Sequence, residues 1–151
     1  MQWTKNDISN YLPEKPYIDT VLIPLIAFDP SADERMIKHG FQRELNQVFT
    51  SLMEREFKGR LFLAPEYNYL DGFSKKEVSR LNEWVSRFNK QPFQYIFLFT
   101  FDAKWKKHER ELEADLIWIP GLSDGDIQSS ETQSFVKEQV PLISELIQGY
   151  W

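Results

Sequence analysis

The sequence predicts an α/β domain in three layers, helix, sheet and helix, around a mainly parallel four-stranded sheet. Three observations predict it. Four short apolar runs alternate with stretches of helical period. Most of those runs are continuously apolar, as in strands covered on both faces. At 151 residues, 42% of them hydrophobic, the chain is sized for one core and one domain, 1–151.

A short helix from Thr4 to about Tyr11 comes first, followed by a strand over Thr20–Phe28 (TVLIPLIAF). Pro24 has no N–H to give a ladder, so a bulge or a poorly paired position is expected there. Ser31 and Glu34 have the spacing of a capping box, and Ile37, Phe41, Leu45, Val48, Leu52 and Met53 form a helical stripe ended by Gly59. Gly40 is expected to split off the first turns, leaving 41–57 as the firm part. A second strand covers 60–64 (RLFLA). A second capping box, Ser74 and Glu77, opens a helix carrying Val78, Leu81, Trp84, Val85 and Phe88, which Pro92 ends.

The third strand, 93–101 (FQYIFLFTF), and the fourth, 115–120 (DLIWIP), are joined by 102–114. That connection reads as a short crossover helix with Trp105 and Leu112 facing inward. It also reads as the turn of an antiparallel hairpin, because Phe93, Tyr95, Phe97, Phe99 and Phe101 alternate strictly. The crossover is preferred, with the direction of the last strand left open. The last helix begins near Ser130, with Gln133 at its third position, and Pro141 should kink or divide it.

Two segments carry a family likeness. One is Trp3-Thr4, Asp7-Ile8, Tyr11, then Tyr17-Ile18-Asp19-Thr20 leading into Ile23-Pro24-Leu25. The other runs from Glu54-Arg55-Glu56-Phe57-Lys58-Gly59-Arg60 into Leu63-Ala64-Pro65 and Tyr69-Leu70. Together they resemble the YpiF-like family of uncharacterised proteins from Bacillus-type bacteria, over roughly the first half of the chain. The resemblance implies a bacterial cytosolic protein. It brings no assigned activity, cofactor or active site.

Composition excludes several functions. There are no cysteines, which removes disulfides, Cys-ligated metal and thiol chemistry. A net charge of −5 makes nucleic acid an unexpected partner. No run approaches a membrane span and the start lacks the apolar core of a signal peptide, so a cytoplasmic location is expected. The strand-to-helix turns lack the glycines of a phosphate cradle: 29–34 has none, and 65–74 has only Gly72. G-x-S-x-G and H-E-x-x-H are both absent. A receiver-type phosphoacceptor is set aside, since a fifth strand with its lysine is missing from the reading.

In open α/β sheets, ligands bind outside the carboxyl ends of the strands. There the sequence puts Asp29 and Asp33, then Glu66, Tyr67 and Asn68, then Asp102, and finally Asp124 and Asp126. Asp29, Glu66, Tyr67, Asp102 and Asp124 form the candidate strand-end site. Carboxylates on one rim suit a hard cation such as magnesium, or share acid and base duties when two are close. Equally, they are ordinary loop and cap residues. No cofactor is predicted; magnesium is the one ion that rim would suit.

His39 and His108 lie among charged residues and read as solvated surface side chains. The basic stretch 104–110 surrounds Trp105, but Glu109, Glu111 and Glu113 cancel much of its field. Aromatics reach 15%, with 12 Phe, 6 Tyr and 5 Trp. A core this small should leave some of them exposed, and a contiguous group would mark a contact surface. Tyr150 and Trp151 either tuck onto the core or protrude, and a homodimer contact through the last helix is conceivable. The first functional reading is thus a non-catalytic binding or assembly domain with a protein partner or self-association. The second is a small enzyme with the strand-end carboxylates as its site.

Overall fold

Strand β1 (Thr20–Phe28) is the axis of the computed structural model, which describes residues 1–72 and 74–151. On one side β1 pairs in parallel with β2 (Leu61–Leu63) and then with β3 (Tyr67–Leu70). On its other side lies β4 (Tyr95–Thr100), and β5 (Asp115–Trp118) pairs with β4. Every one of these pairings is parallel.

The sheet therefore has five strands where four were expected, because residues 67–70 are not part of a turn. Pro24 is the reason that β2 and β3 are separate. The Thr20 amide donates to the Arg60 carbonyl, and the Leu22 carbonyl accepts from the Ala64 amide, so even-numbered residues of β1 face this edge. Pro24 stands next in that series without an N–H, at the place where β2 stops and 64–66 detour before β3 resumes. The expected pairing defect is a break in the neighbouring strand.

The sheet is covered on both faces. On one side, α1 (Lys5–Tyr11), α3 (Lys75–Phe88) and α4 (Ala103–Lys107) supply Tyr11, Val78, Leu81, Val85 and Trp105 to a core with Val21, Ile23, Leu25, Tyr67, Tyr69 and Leu98. On the other, α2 (Asp33–Glu56) and α5 (Ser130–Gln148) pack Phe41, Leu45, Phe49, Met53, Val136, Ile143 and Ile147 against Leu22, Phe97, Phe99 and Ile117. Adjacent residues of β1 and β4 thus feed opposite cores, the signature of a strand buried on both faces.

The connection between β4 and β5 is a crossover built on α4. Trp105 is fully buried, and Leu112 packs partly against the same core. The last strand is accordingly parallel, not antiparallel. The alternation has another cause: Tyr95, Phe97, Phe99 and Phe101 all face the core beneath α2 and α5, while Ile96 and Leu98 between them face the opposite core.

Several local expectations change. Helix α2 runs unbroken through Gly40, and its cap residue is Ala32 with no side-chain bond; the Ser31 hydroxyl donates to Asp29 instead. Ser74 caps α3 without a side-chain bond; the Glu77 amide donates to the Ser74 carbonyl, and the Glu77 carboxylate is engaged by Tyr67 and Arg80. The cap of α5 is Ser129, whose hydroxyl accepts from the Thr132 amide, and the helix continues past Pro141. Of the two terminal rings Trp151 tucks in, while Tyr150, edge-on to the Phe97 ring, stays exposed. Trp151 packs edge-on against Phe57 at 4.7 Å, lies under the Arg60 guanidinium at 3.8 Å, and donates through Nε1 to Thr20 Oγ1 at 2.9 Å. Among the described residues, no helix is long and apolar enough to cross a membrane.

Candidate ligand cleft at the sheet edge

The chain leaves β1 toward β2 and β3 on one side, then crosses to β4 on the other. The carboxyl ends of β1 and β4 are therefore the point where strand order reverses, and open α/β sheets hold ligands in the crevice there. Helix α2 lies along that crevice.

One face of α2 carries polar residues where an apolar stripe would be ordinary. His39, Arg43, Asn46 and Thr50 follow the helical spacing i, i+4, i+7 and i+11. Thr50 is buried and donates back to the Asn46 carbonyl at 2.9 Å, a bond local to the helix. Asn46 is different. Its side chain is 1% exposed, and among the described residues neither Nδ2 nor Oδ1 meets a hydrogen-bond partner. The residue lines a hollow of about 20 Å³ together with Arg43, Tyr69, Thr100 and Asp102. A hollow above about 10–15 Å³ admits one water-sized polar group.

Beside this hollow is an open cleft of about 440 Å³, and Ile26, Ala27 and Arg43 form the wall common to both. Its other walls include Phe28, Pro30, Met36 and His39. Phe28 and Met36 are half exposed, so the cleft opens on an apolar lip. His39 is not a surface side chain as expected but 7% exposed. Its Nε2 faces Asp71 Oδ2 at 3.5 Å, and its Nδ1 meets no partner among the described residues.

The rim carboxylates are each held by neighbours. Asp29 accepts from the Ser31 amide at 2.9 Å, from the Ser31 hydroxyl at 2.5 Å and from Arg35 at 2.7 Å. The Ser31 hydroxyl first, with the Ser31 amide and Arg35, holds its carboxyl down at about 2. Glu66 takes Arg43 Nε at 3.0 Å and Gln47 Nε2 at 2.8 Å. Asp71 takes Lys104 Nζ at 2.6 Å, which lowers its carboxyl below the usual range. Asp102 caps α4 by accepting from the Lys104 amide at 2.9 Å, and its other oxygen accepts from Tyr69 Oη at 2.7 Å. Burial, reinforced by Asp102, pushes the Tyr69 phenol far up, so it remains a donor throughout the physiological range.

Of the five residues named from the sequence, Asp29 lines the open cleft, Asp102 lines the small hollow, and Glu66 holds the Arg43 that lines both. Tyr67 and Asp124 line neither. Tyr67 is buried in the opposite layer, donating to Glu77 under the Arg80 guanidinium, and Asp124 accepts from the Gly125 amide. Among the described residues, no three His, Asp or Glu side chains are grouped so as to hold a metal ion. The residues that sequence reasoning passed over are His39, Arg43 and Asn46. Their helical spacing was the available signal.

A family model described as "Protein of unknown function (DUF2487)" matches residues 9–151. The chain is also similar to the "Uncharacterized protein YpiF" of Bacillus subtilis (strain 168), 31% identical over 109 residues, which are 72% of this chain and 71% of that protein. No solved structure matches.

Proposed function

We propose that this chain, which belongs to the DUF2487 family of proteins of unknown function, is a binding domain that takes a small molecule in the cleft between α2 and the carboxyl ends of β1 and β4. One observation carries the reading: the Asn46 carboxamide is buried beside that cleft, and among the described residues neither its donor nor its acceptor has a partner. Leaving such a group unpaired costs about 1–3 kcal/mol, and a leucine would fill similar space without that cost. A ligand that completes the bonds offsets the cost on binding. The rim carboxylates are already engaged by local donors, which favours recognition over acid–base chemistry or magnesium binding.

Fragment screening by protein-observed 1H–15N NMR tests this. Binders are expected to shift the amides of Ala27 and Gly40 and the side-chain NH2 of Asn46 together. A library whose hits map elsewhere on the chain, with these signals unmoved, rules out the cleft.

A second reading, contact with a protein partner or a second copy of the chain, is favoured by a groove of about 310 Å³ between α1 and α3. Trp3 and Leu12 line it and are each more than half exposed. Light scattering at high concentration tests the self-association form: Leu12→Ser is expected to abolish a dimer, and a strict monomer refutes it.

A further inference from the structure

We propose that the ligand of this cleft is an uncharged molecule with an apolar body and an amide-type edge, a hydrogen-bond donor and acceptor side by side, which pairs with the Asn46 carboxamide. The inference rests on the reading of the cleft given above and adds the chemistry of its occupant.

Three features select that chemistry. The Asn46 carboxamide offers two donors at Nδ2 and an acceptor at Oδ1, and none of them is met among the described residues. A phosphate or carboxylate presents acceptors only, so it would leave Oδ1 facing oxygen lone pairs. An amide, a lactam or the equivalent edge of a heterocycle satisfies both atoms at once. The size of the hollow is the second feature. At about 20 Å³ it admits the edge of such a group and no more, while the body remains in the cleft of about 440 Å³. Ile26, Ala27, Phe28, Pro30 and Met36 give that body apolar walls.

Charge is the third. Each of the rim cations is closed in an ion pair: Arg35 with Asp29 at 2.7 Å, Arg43 with Glu66 at 3.0 Å, and Lys104 with Asp71 at 2.6 Å. Asp102, already accepting from Tyr69, lines the hollow itself and repels an anion entering it. An anionic ligand would have to break one of these pairs; a neutral one leaves them closed.

The test uses three probes that share a six-membered aromatic ring on the whole chain: 2-pyridone with a lactam edge, toluene with the ring alone, and phenyl phosphate with an anionic head. Titrations follow the Asn46 side-chain NH2 and the Ala27 and Gly40 amides by 1H–15N NMR. Binding of 2-pyridone is expected to move all three signals, at least tenfold more tightly than toluene or phenyl phosphate. In Asn46→Leu its affinity should fall to that of toluene. If Ala27 and Gly40 respond but phenyl phosphate binds as tightly as 2-pyridone, or 2-pyridone no better than toluene, the amide edge is wrong and the cleft stands. Silence at Ala27 and Gly40 with all three probes overturns both. The wild-type Asn46 signal decides the matter even if the leucine variant fails to fold.

Discussion

Tyr69 Oη donates to Asp102 Oδ2 over 2.7 Å and so ties the end of β3 to the first turn of α4, on opposite sides of β1. The bond fixes the mouth of the small hollow, because both residues line it. It joins a buried phenol to a carboxylate, and hydrogen bonds to charged groups contribute about 1.5–3 kcal/mol. Tyr69→Phe is therefore expected to lower stability by about that amount. Urea unfolding checks it: the midpoint should fall with the slope unchanged.

Asn46→Leu should move the other way. It removes a carboxamide that is buried without partners among the described residues, and adds apolar contacts beside Leu25 and Ile26. A gain of about 1–3 kcal/mol follows from the unpaired-group cost, or roughly 2–4 °C per kcal/mol for a chain of this size. Thermal denaturation of the two proteins without ligand measures it, and a loss of stability would mean that Asn46 already has its bonds.

The Asp29 carboxyl should titrate near 2, well under its ordinary value of 3.8. Its folded value lies below its unfolded one, so the unfolded chain takes up the proton first as pH falls. The stabilising contribution is complete above about pH 4 and disappears as pH falls through 2. Carbon-detected NMR titration checks the midpoint. Ser31→Ala and Arg35→Gln should each raise it, because the Ser31 hydroxyl and the Arg35 guanidinium both hold the carboxylate.

Two glycines make a matched pair. A Cβ on Gly121 would sit 2.7 Å from Cγ of the Phe101 ring, so Gly121→Ala should destabilise by about 1–3 kcal/mol through overpacking. Gly40 stands inside α2 with no atom within 4 Å of such a Cβ. Gly40→Ala should stabilise by about 0.5–1 kcal/mol, the usual gain in a helix interior. Parallel urea curves on the two variants separate the signs.

Much of this structure was legible in residue order. Continuous apolar runs marked strands buried on both faces, and in β4 the rings at 95, 97 and 99 enter one core while Ile96 and Leu98 enter the other. Strand β3 was missed because Pro65, Asn68, Asp71 and Gly72 read as turn chemistry. Only the alternation of buried Tyr67 and Tyr69 with exposed Asn68 and Leu70 betrays it, and four residues are few for a period-two signal. His39 was misread for a similar reason. Its neighbours Lys38 and Arg35 suggest a solvated face, while its true companions are Arg43 and Asn46, one and two turns along the helix.

Residue order alone sets the layers: which runs become strands, which faces of the helices are apolar, and that the chain has no cysteine and no glycine-rich loop at 29–34. These are local properties of period and composition, and they survive without knowledge of neighbours. What the strand-end side chains contact was set by their neighbours in space. Asp29, Glu66 and Asp102 come to one rim but are engaged by Ser31, Arg43 and Tyr69, whereas the side chain of Asn46, in the middle of a helix, has no partner among the described residues. Whether a polar atom finds a partner depends on side-chain direction and on the strand order around β1. Neither is written in the spacing of residues along the chain.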